Sequence, residues 1–176
     1  LAVLAFGGVT VPIYPTLTPP EIDRILADSG AKLLLTDRPS HLSGQLKWQG
    51  PIFPFEGGDF PKRLSEGSMF RTEQKEIFQE ALKTTQGSDL ATLIYTSGTT
   101  GDSKGVMLSH DNFLSNCRAC EEAIPISEAD LYLSFLPLSH VFERTAGFYF
   151  ILSRGAQIAY AETLDTVPQN MQEVQP

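Results

Sequence analysis

The stretch "TPPEIDRILADSG", residues 18–30, runs straight into "AKLLLTD", and this junction constrains the fold more than any other segment. Thr18 is a capping residue, Pro19 suits the first helical position, and Glu21 stands three residues after the cap. Ile22, Ile25 and Leu26 recur at helical spacing, and Gly30 ends the helix. The run that follows has no polar alternation, so it reads as a strand buried on both faces. Two-sided burial is the habit of parallel sheets, whose crossover helices cover both sides. A helix feeding such a strand predicts an α/β fold: a layered, mostly parallel sheet flanked by helices.

The remaining segments keep this alternation. Residues 1–6 read as the end of a helix stopped by Gly7 and Gly8, and 9–13 as a short buried strand. Glycines and prolines punctuate 45–68, leaving loops around one short strand over 52–55. "MFRTEQKEIFQEALKTT" predicts a surface helix with Phe70, Ile77, Phe78 and Leu82 inward. Strands follow at "ATLIYT", 106–108, "LYLSFLP" and "AQIAYA", with helices over 111–123, capped by Ser109, and 141–153. There is no internal repeat and no low-complexity tract.

A length of 176 residues suits one domain, and 41% hydrophobic with 19% charged residues is a globular balance. The net charge of -8 argues against nucleic acid or an anionic membrane surface as the main partner. It leaves room for a nucleotide, which needs only a few local donors. Two cysteines give no disulfide framework and suit a reducing compartment, so the expected location is cytoplasmic, with peripheral membrane association open to the parent. The opening "LAVLAFGGVTVPIYP" is broken by Gly7, Gly8 and Pro12, and is shorter than the roughly 20 residues that span a bilayer. Starting on Leu1 and ending on "MQEVQP", the chain reads as part of a longer protein.

"YTSGTTGDSKG", residues 95–105, follows the strand "ATLIYT". It fails the Walker pattern G-x-x-x-x-G-K-[ST]: counted from Gly98, Ser103 replaces the second glycine and Gly105 the final hydroxyl residue. A Gly/Ser/Thr loop at the carboxyl end of a strand is nonetheless where open α/β sheets bind ligands. Its backbone N–H groups and hydroxyls are uncharged donors, and Lys104 adds the one cation, a set that suits a triphosphate. The plainer alternative is a flexible turn with a solvated lysine.

Three stretches together resemble the adenylate-forming (AMP-binding) enzymes, the group of acyl-CoA synthetases, luciferases and nonribosomal-peptide adenylation domains. "YTSGTTGDSKGVMLSH" is similar to their phosphate loop, [YF]-[TS]-[ST]-G-[ST]-T-G-x-P-K-G-V, departing at Ser103, where the family has proline. "FGGVTVPIYPTLTPPEIDRILADSGAKLLLTD" resembles the family's upstream strand–helix–strand segment, and "LPLSHVFERTAG" its acyl-pocket motif in the form of long-chain fatty-acid CoA ligases. The resemblance covers essentially the whole chain. It implies that 1–176 is part of the large N-terminal AMP-binding domain, with the C-terminal domain absent. It implies that Thr96, Ser97, Gly98, Thr99, Thr100 and Gly101 wrap the β- and γ-phosphates of ATP, that Lys104 neutralises them, and that Thr96 contacts Mg2+. His140 would stand where nucleotide and acyl pockets meet, so Lys104 and His140 are the expected catalytic residues. The implied reaction activates a long-chain fatty acid as its acyl-adenylate and transfers it to coenzyme A. No Y-G-x-T-E and no T-G-D follows "LPLSH", so the chain alone is expected to be inactive, and its open sheet to self-associate.

Other candidates carry bland readings. Cys117 and Cys120 fall mid-helix, away from the helix N-terminus that activates a redox pair, and suit packing. His110 decorates a helix start. Glu143 and Arg144 are adjacent, cannot pair across a helix face, and read as structural or subfamily markers. Phe142, Phe148, Phe150 and Ile151 read as core rather than acyl tunnel. The rival functions are an acyl-carrier-protein acyl transfer, a non-catalytic nucleotide- or acyl-binding module, and a phosphate-loop hydrolase, the last disfavoured by the failed Walker count.

Overall fold

The capping signal at Thr18 is realised: its N–H and hydroxyl both donate to Glu21 Oε2, at 2.7 and 2.6 Å. They open helix α2, Pro19–Asp28, which follows the short α1, Ala2–Ala5, in a computed structural model describing residues 1–37, 42, 44–55, 60–96 and 103–176. Ile22, Ile25 and Leu26 are its buried face. Ile22 and Leu26 pack with Leu34 in a core that Leu17, Trp48 and Ile52 complete. Gly30 has φ +63, a left-handed conformation that glycine adopts without strain, and it turns the chain towards β1. Asp23 accepts the backbone N–H groups of Lys47 and Trp48 at 2.8 and 2.9 Å, fastening a distant loop to α2.

Strand β1, Leu34–Thr36, pairs in parallel with β2, Ile52–Pro54, with Leu34 opposite Ile52. The expected two-sided burial is not met. Leu34 faces α2 and is buried, but Leu33 and Leu35 are 46% and 41% exposed. Neighbouring side chains on a strand point to opposite faces, and α2 covers only one. Residues 9–13 form no ladder beyond one bridge at Thr10, and Pro12 has no N–H to give. The surface helix expected from Met69 is two helices, α3, Phe60–Glu73, which begins inside the stretch expected to be loops, and α4, Lys75–Thr84, separated at Gln74, which is non-helical (φ -117, ψ 37). Of the four residues expected inward, Phe70, Ile77 and Leu82 are exposed. Only Phe78 packs, its ring 5.1 Å from that of Phe6.

Strand β3, Leu90–Thr96, pairs with β4, Lys104–Ser109. Too few residues separate them for a crossover, so the pair is a hairpin. Helix α5, His110–Ala123, starts at the predicted cap, where the N–H of Asn112 donates to Ser109 Oγ and that of Ser109 to Asn112 Oδ1. Strand β5, Leu131–Ser134, lies parallel to β6, Gln157–Tyr160, with Leu131 opposite Gln157. Residues between them are helical as expected, but Glu143–Phe150 winds as a π-helix before a short α6, Ile151–Ser153. Phe150 and Ile151, each 1% exposed, form a core with Cys117 and Ala156, while Phe142 is 60% exposed. The expected Phe/Ile stripe therefore divides between core and surface. Cys117 packs in this core, and burial pushes its thiol up, the opposite of redox activation. Helix α7, Val167–Val174, closes the chain and has no counterpart among the sequence expectations.

The architecture is α/β. Among the described residues the strands form three two-stranded sheets, two parallel and one a hairpin, rather than one continuous sheet. The chain divides into two compact units, residues Leu1–Gln86 with Tyr95–Gly105, and Gly87–Ile94 with Val106–Pro176. No described helix is long and apolar enough to cross a membrane.

Candidate functional site

The first group of site residues grows from the β3–β4 hairpin. Ala91, Thr92, Ile94 and Tyr95 are buried, so β3 is anchored along its length and hands an exposed Thr96 to the loop. Lys104 opens β4 on the other side, exposed, with its ammonium in no ion pair among the described residues. A hydroxyl and a cation thus flank the loop mouth. Ser97, Gly98, Thr99, Thr100 and Gly101, expected to wrap phosphates, lie outside the described residues.

Both loop ends converge on Tyr95. Its hydroxyl donates to Asp28 Oδ2 at 2.5 Å, tying β3 to the end of α2. Its ring underlies Gly105, where an added Cβ would come within 3.0 Å of Cζ. A side chain at the loop exit would press on that ring. Nothing in the sequence pointed to Asp28, which is distant in the chain. Burial, then the bond to Asp28 and its charge, pushes the Tyr95 phenol up to about 12. Tyr132 is likewise pushed up to about 12, by burial and then by Glu143. Between about pH 10 and pH 12 the unfolded chain releases phenolic protons that the folded chain keeps, so stability falls as pH rises through that window. We expect urea midpoints to drop across it, and Tyr95→Phe to flatten the drop; an unaltered slope contradicts the assignment.

The second group follows β5. "LPLSH" forms a turn in which the N–H of His140 donates to the Pro137 carbonyl at 2.8 Å. The N–H of Phe142 donates to His140 Nδ1 at 3.2 Å. Accepting at Nδ1 assigns the proton of a neutral ring to Nε2, and the side chain is exposed. His140 thus offers one N–H donor outward. Arg144 holds the same turn, its backbone N–H donating to the His140 carbonyl at 3.0 Å and its Nε to the Leu138 carbonyl at 2.9 Å. Glu143 is fully buried and accepts from Ser134 and Tyr132. The expectation that the two neighbours do not pair is met, and each has a separate structural task.

An apolar groove of about 310 Å³ adjoins the turn, lined by Leu108, Phe113, Val141, Phe142, Thr145 and Ala146 among others. A larger cavity of about 840 Å³ lies in the first unit between Ile13, Ile22, Leu34 and Phe55, and none of the expected site residues lines it. Among the described residues no three His, Cys, Asp or Glu side chains gather to hold a metal.

The model of the AMP-binding enzyme family matches residues 1–176. Tyrocidine synthase 3 of Brevibacillus parabrevis is 34% identical over 163 residues, 92% of this chain and 2% of the relative. The long-chain-fatty-acid–CoA ligase FadD15 of Mycobacterium bovis is 35% identical over 154 residues, 81% of this chain and 25% of the relative. The crystal structure of ATP-bound MatB from Rhodopseudomonas palustris superposes with a TM-score of 0.72 at 22% identity, covering 98% of this chain and 33% of that one. The chain spans a quarter or less of these curated relatives. With a loop mouth flanked by Thr96 and Lys104, a motif turn at His140 and a family match along its full length, the chain belongs to the AMP-binding enzyme family.

Proposed function

We propose that the protein carrying this chain activates a long-chain fatty acid with ATP and passes the acyl group to coenzyme A. The observation that carries the proposal is the apolar groove beside the His140 turn, on the same chain as the Thr96–Lys104 loop mouth. The fatty acid's carboxylate oxygen attacks the α-phosphorus of ATP, and the bond to pyrophosphate breaks. The thiolate of coenzyme A then attacks the acyl carbon, and AMP leaves. Neither step needs a covalent enzyme group, so positioning and charge stabilisation do the catalysis. Lys104 offsets charge on the departing pyrophosphate, Ser97 to Gly101 supply its donors, and His140 directs its Nε2 proton towards the carboxylate. Magnesium, when bound with the nucleotide, neutralises phosphate charge, and Thr96 is the residue here that would meet it.

Similarity to FadD15 supports the fatty-acid reading. The peptide-synthase reading is favoured by the 34% identity with tyrocidine synthase 3 across most of the chain. The full-length protein, given ATP, magnesium, palmitate and coenzyme A, is expected to release AMP and palmitoyl-CoA, both read by mass spectrometry. Adenylate without thioester assigns the acyl group to a carrier protein instead. No adenylate from any acid makes the chain a binding module, and AMP release with amino acids alone replaces the fatty-acid reading.

By itself the 176-residue chain should self-associate, because Leu33, just before β1, and Leu35 within it are exposed beside a short two-stranded sheet. Light scattering should give a mass above 19.3 kDa at high concentration; a clean monomer contradicts this.

A further inference from the structure

We infer that Glu143 is a positioning residue that holds the His140 turn, and with it one wall of the apolar groove, in register for the acyl substrate. The inference rests on the acyl-activation reading for its substrate, though not for its geometry. Glu143 is 0% exposed, and its partners are neutral hydroxyls: Ser134 Oγ donates at 2.5 Å and the Tyr132 hydroxyl at 3.2 and 3.3 Å to the two carboxylate oxygens. No Lys or Arg pairs with it among the described residues. Burying a carboxyl group costs free energy that its hydrogen bonds must offset, so it is a weak source of net stability. Its value is positional.

The bonds show what it positions. Ser134 ends β5 and Glu143 begins the π-helix, so their bond ties together both ends of the segment that carries Leu138, Ser139 and His140. Arg144, the next residue and just outside the closed segment, secures the Leu138 and His140 carbonyls within it. Val141 and Phe142, which line the groove, lie between His140 and the clamp. Gly147 completes the arrangement. A Cβ there would meet Glu143 Oε1 at 2.5 Å and Cδ at 2.6 Å, so the carboxylate occupies the space that glycine leaves open. Both residues lie in the π-helical stretch, and such windings are frequent at functional sites. Two chemically different substitutions should therefore break one device: Glu143→Gln replaces an acceptor oxygen with an amide donor, and Gly147→Ala displaces an intact carboxyl group.

The test uses the full-length protein. Glu143→Gln and Gly147→Ala are each expected to lower kcat/KM for palmitate roughly tenfold or more, with KM for ATP changed less than about twofold. The double variant should be no worse than the poorer single one, because both act through the same carboxylate. The His140 ring signal in NMR, assigned with His140→Gln, should move in both single variants. A general loss of structure would instead affect ATP and palmitate alike. Ser134→Ala, which removes one donor only, supplies the same readings if Glu143→Gln does not fold. An unmoved His140 signal, or additive effects of the two substitutions, overturns the inference. If the unaltered protein activates no palmitate, the acyl-activation reading fails, and the His140 signal alone decides the positioning claim.

Discussion

Lys104→Ala in the full-length protein is expected to lower kcat/KM for ATP by roughly ten- to a hundredfold. The estimate comes from the loss of a charge-assisted hydrogen bond, about 1.5–3 kcal/mol, at a point where charge builds up on the departing pyrophosphate. Lys104 is exposed and makes no ion pair among the described residues, so its removal leaves the fold intact. The loss belongs to catalysis rather than to stability, and the urea midpoint should be unchanged. An unaltered kcat/KM for ATP removes Lys104 from the site.

Phe150→Ala shows the opposite pattern, costing about 3–5 kcal/mol of stability by emptying a core site. Its ring is 1% exposed and packs with Cys117, Ile151 and Ala156, the contacts that hold α5 against the helical segment after the His140 turn. Phe142→Ala is the control, because Phe142 is 60% exposed and should cost less than about 0.5 kcal/mol while still altering the groove. Urea unfolding measures both. Equal losses at the two positions would contradict the division of this aromatic stripe into core and surface.

Local signals were legible wherever a short stretch of chain decides the structure. The caps at Thr18 and Ser109, the buried face of Ile22, Ile25 and Leu26, and the glycine end at Gly30 are each settled within a few residues. Burial was less legible, because it depends on what the other elements cover. "AKLLLTD" is apolar throughout, yet helix packing reaches only the Leu34 face. Phe70, Ile77 and Leu82 have helical spacing but no packed partner surface comparable to that which Phe6 gives Phe78. For the site, motif order pointed to Thr96, Lys104 and His140; all three are exposed, the first two at strand ends and the third in a turn. The supporting contacts were invisible. Tyr95 reaches Asp28 across 67 positions, and the Glu143 clamp joins the start of a π-helix, which no residue pattern announces, to the end of β5.

The central claim is that the loop mouth at Thr96 and Lys104 serves carboxylate activation by ATP. Pyrophosphate–ATP exchange in the full-length protein tests it most directly, because exchange occurs only if an acid attacks the α-phosphorus reversibly. Palmitate should drive exchange well above the level without acid, and Lys104→Ala should reduce that increment at least tenfold. Exchange that no carboxylic acid stimulates, or that Lys104→Ala leaves untouched, would contradict the account.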